Sequence, residues 1–520
     1  MLFNSYEFIL AFVPITLIVF GILCSFPKKK FVFAWLIAIS IFSYSLWGVS
    51  HLLILLFSTG LNWIFAEVIH KRKNAISDTK ESIFSTKTIV VVAITFNILL
   101  LGYFKYANFL IDTLSSIGLN LHHIENIFLP LGISFYTFEQ ISYLVGIARN
   151  DSKNYSYPRF LAFIAFFPHL VAGPILNANE LIPQFRNINY RIDFRNIAIG
   201  LTIFSLGLFK KVVIADSISG YATPIFIAAD GGTQVTFLLA WQAAIAYTLQ
   251  LYFDFSGYSD MAIGLAKLIN IKLPINFFSP YKAIGIGDFW RRWHISLGRF
   301  LRDYIYIPMG GSRKGNARTY LNLFLTMLLG GLWHGASWTF IFWGALHGLY
   351  LCIDRGWGIF LEKKNILWNS TFHQFLARML TLLAVINSWV VFRAQSFSGA
   401  FNILSGMFGI NGVVFPPEFS NSFKILENLG VKFETLNGYA GMTGSLLLFV
   451  VLLSTLYLPN IYQFMIEEPV ALDFYSHLSQ QKNTWYAWKP SLGYSVLTFI
   501  ILTVSLAFCS KPSEFLYFQF

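Results

Sequence analysis

The chain between Trp290 and Gly348 carries the two most informative segments of the sequence, WRRWH (Trp290–His294) and LWHGASW (Leu332–Trp338). The first segment is basic and aromatic, as is typical of a membrane interface, whereas the second lies within an apolar run. An ionisable side chain inside hydrocarbon is costly and therefore usually serves a function. His294 and His334 are accordingly the first candidates for chemistry.

The composition is that of an integral membrane protein. Of 520 residues, 56% are hydrophobic and 12% are charged, whereas a soluble domain carries about 25% charged residues. The net charge is +12, but the basic residues cluster beside apolar blocks. The positive-inside rule and anionic lipid headgroups explain this pattern, so we expect the lipid bilayer, and no nucleic acid, as a partner. The three cysteines have no spacing typical of disulfides or zinc.

Apolar blocks near the length of a spanning helix, about 20 residues, recur along the whole chain. They lie near residues 8–26, 31–49, 52–69, 88–104, 127–147, 158–176, 195–215, 234–253, 257–270, 319–334, 336–353, 372–392, 439–458 and 491–509. The predicted fold class is an all-α polytopic membrane protein with roughly a dozen transmembrane or re-entrant helices. We treat residues 1–520 as a single membrane-embedded domain, because no linker or repeat divides them.

Broken helices are expected around Pro168–Pro174 and Pro274–Pro280. Irregular backbone at membrane depth is tolerated only where protein or a water-filled cavity covers it, which suggests a funnel or tunnel. The basic residues at Lys28–Lys30, at 70–73 and between Lys282 and Arg318 predict cytoplasmic loops, and the count of crossings then places both termini outside.

His334 has two possible roles. A neutral imidazole in a partly dry pocket suits the removal of a hydroxyl proton, but a buried histidine also commonly hydrogen-bonds a neighbouring helix. Trp338 would share a face with His334 if one helix runs through both. His294 could orient a substrate or the other imidazole, or could simply lie at the interface. His347 belongs to no convergent ligand set, so we predict no metal.

Two further groups leave alternatives open. Asp254 and Asp260 lie in an apolar region, where they could pair with bases, cap a broken helix or line a pathway. The basic residues of 282–318 could form a solvated loop or bind the phosphates of a cofactor.

Four segments together resemble the bacterial membrane-bound O-acyltransferase (MBOAT) family, and in particular its alginate O-acetylation branch. They are YFDFSGYSDMAIG (252–264), DFWRRWHISLG (288–298), LRDYIYIPMGG (301–311) and LLGGLWHGASW (328–338). The resemblance covers essentially the whole chain and is densest over the core 247–350. It implies a many-helix fold around a central funnel through the bilayer, a catalytic role for His334, and a second catalytic position at His294.

The resemblance also implies a thioester acyl donor, with acetyl-coenzyme A (acetyl-CoA) expected for this branch. Its phosphates would fit the basic cluster, so the predicted donor-binding residues are Arg291, Arg292, Trp290 and Trp293. The implied activity is O-acetylation of an extracytoplasmic polysaccharide, with acetyl groups crossing the bacterial inner membrane. Both termini would then be periplasmic.

The external tail, 510–520, contains FLYFQF (515–520), which resembles a terminal FxYxxF motif of such transfer systems. There Tyr517 would relay the acyl group to a periplasmic acetyltransferase partner; alternatively, the tail is an aromatic interface anchor. Peptidoglycan O-acetylation and teichoic acid D-alanylation remain alternatives within the family. A membrane transporter remains an alternative from another class, since intramembrane acids and broken helices suit one.

Overall fold

The computed structural model describes residues 1–75, 85–187, 190–366, 370–422, 424–472, 485–511, 513 and 516, and these are predominantly helical. The helices, in chain order, are α1 Glu7–Ser25, α2 Lys30–Ser45, α3 Val49–Ala75, α4 Thr86–Ser116, α5 Ile133–Arg149, α6 Tyr157–Ala165, α7 Ala178–Asn187, α8 Phe194–Asp230, α9 Phe237–Leu268, α10 Ile286–Trp290, α11 Ile295–Leu301, α12 Asn316–His334, α13 Trp338–Lys363, α14 Thr371–Arg393, α15 Phe397–Met407, α16 Gly441–Tyr457, α17 Ile461–Phe464 and α18 Leu492–Phe508.

Irregular helical turns and one small sheet accompany these helices in the described residues. The π-helical turns are Glu7–Phe12, Gly102–Tyr106, Phe209–Ala215 and Arg302–Tyr306, and the 3₁₀ turns are Pro280–Lys282, Pro417–Phe419 and Lys424–Leu429. Strands β1 (Val414–Phe415) and β2 (Lys432–Phe433) pair in parallel.

Five helices in the described part of the chain are long and apolar enough to cross a membrane, namely α1, α3, α4, α8 and α14. Three shorter apolar helices, α2, α16 and α18, accompany them. Large apolar side chains such as Leu10, Phe57 and Phe499 are exposed on these helices, as expected of surfaces that face lipid. The predicted all-α, polytopic membrane class is confirmed.

Several of the expected segment boundaries differ from the observed helices; the block near 88–104, for example, belongs to a helix that continues to Ser116. The blocks near 234–253 and 257–270 form one continuous helix, α9. The polar motif between them does not interrupt the helix because its acids have partners: Asp254 pairs with Lys211, and Asp260 accepts a hydrogen bond from Tyr462 at 2.7 Å. The block near 195–215 also continues to Asp230, through the π-helical turn Phe209–Ala215. Around the expected breaks, by contrast, the backbone is irregular between α6 and α7 and between α9 and α10.

The chain divides into two compact units. The first unit comprises Met1–Leu208, Tyr258–Asn276 and Ile461–Cys509, and the second comprises Phe209–Gly257, Phe277–Asn460 and Ser510–Phe520. In the first unit, a buried amide cluster joins three helices: the Asn62 Nδ2 donates to Gln140 Oε1 at 2.8 Å, and the Asn97 Nδ2 donates to Asn62 Oδ1 at 2.6 Å. Such interhelical hydrogen bonds help membrane helices associate.

The second unit is organised by the antiparallel hairpin of α12 and α13, in which glycines allow the two backbones to touch. A Cβ atom added at Gly331 would lie 2.3 Å from the Phe340 carbonyl oxygen, and one added at Gly344 would lie 2.4 Å from the Met327 carbonyl oxygen. Small residues at helix contacts are the usual means of close packing in membranes. This hairpin positions the candidate site.

Candidate active site

His334 is the last residue of α12, where the hairpin turns. Gly335 continues in extended backbone and has no room for a side chain, since an added Cβ would lie 2.3 Å from the Phe340 ring. Ser337 then starts α13 by accepting a hydrogen bond from the Thr339 N–H at 3.3 Å. The expectation that Trp338 shares a helical face with His334 is therefore wrong, because the helix ends at His334. Trp338 instead opens α13, with 51% of its surface exposed.

Three aromatic rings enclose the buried His334 imidazole. The ring centroids of Trp333, Trp343 and Phe392 lie 5.0, 5.2 and 5.3 Å away, with interplanar angles of 71°, 90° and 78°. These are edge-to-face arrangements, which aromatic pairs prefer. The imidazole is thus held in one orientation inside a largely apolar enclosure.

His294 lies immediately before α11, outside the membrane-spanning helices, and is completely buried. Its backbone is left-handed, with φ of 43°. This conformation is costly for residues other than glycine and is concentrated at functional sites. Its ring packs edge-on against Phe255, at 4.8 Å between centroids. Burial lowers the pKa of His294 to about 3, so this imidazole is neutral at physiological pH.

The indole of Trp333 brings the two predicted histidines together. Its centroid lies 6.0 Å from that of His294 and 5.0 Å from that of His334. Residues 40 positions apart in sequence therefore line the same part of the second unit. A position of His294 near the other imidazole was one of the alternatives that the sequence left open, and the intervening tryptophan was not predicted.

His347 is a third buried histidine, and it carries a hydrogen-bond chain that was not predicted. The Trp290 indole N–H donates to its Nδ1 at 3.3 Å, and its Nε2 lies 2.9 Å from the Ser388 hydroxyl. Because an indole nitrogen only donates, Nδ1 must be unprotonated and Nε2–H must donate to Ser388. The Ser388 hydroxyl in turn donates to the Val385 carbonyl oxygen at 2.7 Å. His347 thus fixes Trp290 and α14 beside the site.

Trp343 separates His347 from His334. Its ring lies 4.8 Å from His347 and stacks on Trp389 at 5.6 Å. The sequence offered one signal for this arrangement: His347 follows Trp343 by four positions, so the two share a face of α13. No group of three or more histidine, cysteine or acidic side chains that could hold a metal ion occurs among the residues the structure describes.

The four predicted donor-binding residues occupy different environments. Arg291 is the most accessible, with 74% of its side chain exposed, and Arg292 is partly exposed and pairs with Asp288 at 2.9 Å. Trp290 is half-buried against His347. Trp293 belongs to the core, with its ring 4.9 Å from Trp389 and 5.0 Å from Phe277.

Tyr517, the predicted relay residue, lies outside the described residues. Its neighbour Leu516 is described and is buried, and the Leu516 N–H donates to the Asp254 carboxylate at 3.3 Å. The tail is therefore in contact with the core of the second unit at this residue.

Comparison with known proteins places the chain in a family of membrane enzymes. Residues 39–392 match the family described as MBOAT, membrane-bound O-acyltransferase family. The chain is 41% identical over 440 residues to the peptidoglycan O-acetyltransferase of Helicobacter pylori, covering 79% of this chain and 81% of that protein. It is 46% identical over 324 residues to the probable alginate O-acetylase AlgI of Azotobacter vinelandii, covering 61% and 62%.

A more distant relative is the teichoic acid D-alanyltransferase of Streptococcus thermophilus, 30% identical over 246 residues, which cover 45% of this chain and 58% of that protein. The chain belongs to the membrane-bound O-acyltransferase family. It is an integral membrane acyltransferase, which confirms the family and the enzyme class expected from the sequence.

Proposed function

We propose that this acyltransferase moves acetyl groups from cytoplasmic acetyl-CoA across the inner membrane for O-acetylation of an extracytoplasmic polysaccharide, with His334 as general base. The observation that supports this most is the position of His334 at the break of the glycine-packed hairpin, enclosed by aromatic rings and joined to His294 through Trp333. The relatives named as O-acetylating enzymes favour acetyl as the transferred group.

The reaction needs one base and one polarising group. His334 removes the proton of the acceptor hydroxyl as that oxygen attacks the thioester carbonyl. A carbon–oxygen bond forms, the carbon–sulfur bond breaks, and the thiolate leaves with the proton from the imidazolium. The C-terminal end of α12 favours positive charge, so it stabilises His334 while it is protonated. His294, which stays neutral, positions or polarises the reacting groups.

The donor binds from the basic side of the site. Arg291 and Arg292 suit the phosphate oxygens of coenzyme A, because guanidinium groups present several donors in a fixed plane. The exposed position of Arg291 supports this role. Trp290 and Trp293 contribute through the hydrogen bond to His347 and through core packing, respectively, which keep α10 and the following turn in place. The positive-inside rule supports a cytoplasmic position for this basic side, with the termini in the periplasm.

Two acceptors are compatible with the relatives. The alginate O-acetylases are the more identical, whereas the peptidoglycan O-acetyltransferase aligns over more of both chains. We propose an alginate-like polysaccharide first and peptidoglycan second. In both cases Tyr517 receives the acetyl group and passes it to a periplasmic acetyltransferase partner that acts on the polymer.

Substitution of the base tests the catalytic assignment. His334→Ala should lower polymer acetylation in cells by about 100-fold or more, which is the usual contribution of a general base. His122→Ala, at an exposed loop position, is the matched control and should leave acetylation unchanged. Acetate released by base from purified exopolysaccharide and from purified peptidoglycan is measured separately, which also identifies the acceptor. Normal acetylation of both polymers in the His334→Ala strain at equal expression would contradict the assignment.

Labelled acetyl-CoA tests the donor and the relay together. Purified protein incubated with it should carry label on the C-terminal peptide, and Tyr517→Phe should abolish that label. Thioester turnover that depends on His334 would distinguish this enzyme from a transporter. Label that persists on the tail of the Tyr517→Phe protein would refute the relay.

A further inference from the structure

A buried charged triad lies in the second unit. The Lys211 Nζ is 2.6 Å from Asp254 Oδ1 and 2.7 Å from Asp216 Oδ1, and all three side chains are nearly inaccessible. Lys211 reaches the triad from the π-helical turn Phe209–Ala215, and π-helical turns are frequent at functional sites. The triad combines one basic and two acidic groups. A carboxylate oxygen that Lys211 does not contact is therefore stabilised by an additional hydrogen-bond donor.

The tail supplies that donor. Asp254 Oδ1 faces Lys211, whereas Asp254 Oδ2 accepts the hydrogen bond from the Leu516 main-chain N–H at 3.3 Å. Leu516 is only 1% exposed and packs in the same core cluster as Tyr247 and Phe392. An acid in helix α9 is therefore bonded to a residue 262 positions later.

Two further buried polar side chains lie on the helix that carries Asp254. Tyr247 and Gln250 precede Asp254 on the same face of α9, and both side chains are buried. Within the described part of the chain, the Tyr247 hydroxyl and Gln250 Oε1 have no hydrogen-bond partner. The Arg393 guanidinium lies 5.9 Å from the Tyr247 ring centroid, and the preceding residue, Phe392, contacts His334. Unsatisfied buried polar atoms are costly, so this face suits a polar occupant.

We propose that Asp254, held by Lys211, is the anchor that fixes the C-terminal segment at Leu516 inside the second unit, with the Tyr247 and Gln250 face as the polar wall beside it. Asp254 is a positioning residue: it holds the Leu516 main chain against α9. What the tail delivers rests on the proposed function. The contact between Asp254 and Leu516 does not depend on that function, and it can be measured without an acyl donor.

Chemical access to position 516 tests the anchor. Leu516→Cys is made in a chain whose Cys24, Cys352 and Cys509 are replaced by serine, and its labelling by a bulky maleimide is followed in nanodiscs. Lys511→Cys, at an exposed position of the same tail, serves as the reference. The thiol introduced at position 516 should react at least about tenfold more slowly than the thiol introduced at position 511, because Leu516 is buried. Equal labelling rates at positions 516 and 511 would overturn the proposal, and this comparison needs no substitution in the triad.

Asp254→Asn should then release the tail. An asparagine has one side-chain oxygen, which Lys211 takes, so its NH₂ group is left against the Leu516 N–H. Labelling at position 516 should accelerate roughly 10- to 100-fold, as expected for loss of a hydrogen bond to a charged group. Lys211 remains paired with Asp216 in this variant, so its charge stays compensated, and thermal unfolding of each variant checks that the fold is kept.

Asp216→Asn is the matched control, since it removes the same charge from the same triad but keeps the acceptor for Leu516. The thiol at position 516 should remain protected in this variant. Equal acceleration in both variants would show that the integrity of the triad, rather than the hydrogen bond, holds the tail, and no acceleration in either would show that Asp254 does not anchor it. If labelling at position 516 behaves as expected but Tyr517→Phe retains full acetylation, the anchor stands and the relay fails.

Discussion

Substitution of Gly331 by alanine should disable the enzyme by forcing apart α12 and α13, the two helices of the hairpin that carries His334. The added Cβ would lie 2.3 Å from the Phe340 carbonyl oxygen and 2.8 Å from the Gly344 Cα, whereas ordinary contacts are 3.4–4 Å. Both obstacles are backbone atoms, so no side-chain rotation relieves the clash. The two helices must therefore move apart by about 1 Å at a point one turn before His334.

The magnitude follows from two effects. Overpacking of a tight contact costs about 1–3 kcal/mol of stability. A displacement of about 1 Å at a catalytic group costs about 100-fold in rate. We expect Gly331→Ala to express, to unfold at a moderately lower temperature, and to lose about 100-fold of its polymer acetylation. Both quantities are measurable, by thermal unfolding in detergent and by base-released acetate at matched expression.

Gly358→Ala is the internal control for this experiment. Gly358 lies on α13 of the same hairpin, but an added Cβ meets no atom within 4 Å. Alanine favours a helix over glycine by about 1 kcal/mol, so this variant should be neutral or slightly more stable. If Gly331→Ala matched Gly358→Ala in both stability and acetylation, the hairpin contact would not determine the position of His334.

Two further predictions concern the other histidines. Ser388→Ala removes the acceptor of the His347 Nε2–H and should cost about 1–3 kcal/mol of stability, because a buried donor is left unsatisfied; an unchanged unfolding temperature would contradict this hydrogen bond. The pKa of His294 is lowered to about 3, below the ordinary value near 6.5, so the unfolded chain binds the proton first. The stability that His294 contributes is present above pH 6.5 and is lost as the pH falls toward 3, by at most about 1.4 kcal/mol per pH unit. His294→Gln should flatten this dependence between pH 6.5 and 5, whereas His122→Gln should not.

The helices were largely predictable because a spanning segment must satisfy its own backbone hydrogen bonds and cover itself with apolar side chains. That requirement is local, so block lengths located α1 and α14 closely, whereas α3 and α4 extend beyond the predicted blocks. The blocks near 234–253 and 257–270 were expected separately, and they form one helix, α9, for a reason that is not local. The polarity of its central motif is compensated by residues distant in sequence, Lys211 and Tyr462, which no local pattern reveals.

In the site, too, the features set by local sequence were predictable and those set by distant contacts were not. His334 and His294 were identifiable, since imidazoles are rare in apolar or interfacial segments. The helix end at His334 was not, because Gly335 is required by contact with the Phe340 ring, and helix termination there depends on the packing of the hairpin. His347 was considered only as a metal ligand, and its role became visible once Trp290 and Ser388 were found on either side of its ring.

The two acids of the YFDFSGYSD motif show how far a motif alone can be interpreted. Six positions apart, both lie in α9 and both are buried, yet Asp260 belongs to the first unit and bonds a tyrosine, whereas Asp254 belongs to the second and bonds a lysine and a main-chain amide. Asp260 accepts a hydrogen bond from Tyr462 within the first unit. Lys211 contacts one oxygen of Asp254, and the Leu516 N–H donates to the other. The contact with the tail therefore depends on residues far from the motif in sequence, and the motif alone does not reveal it.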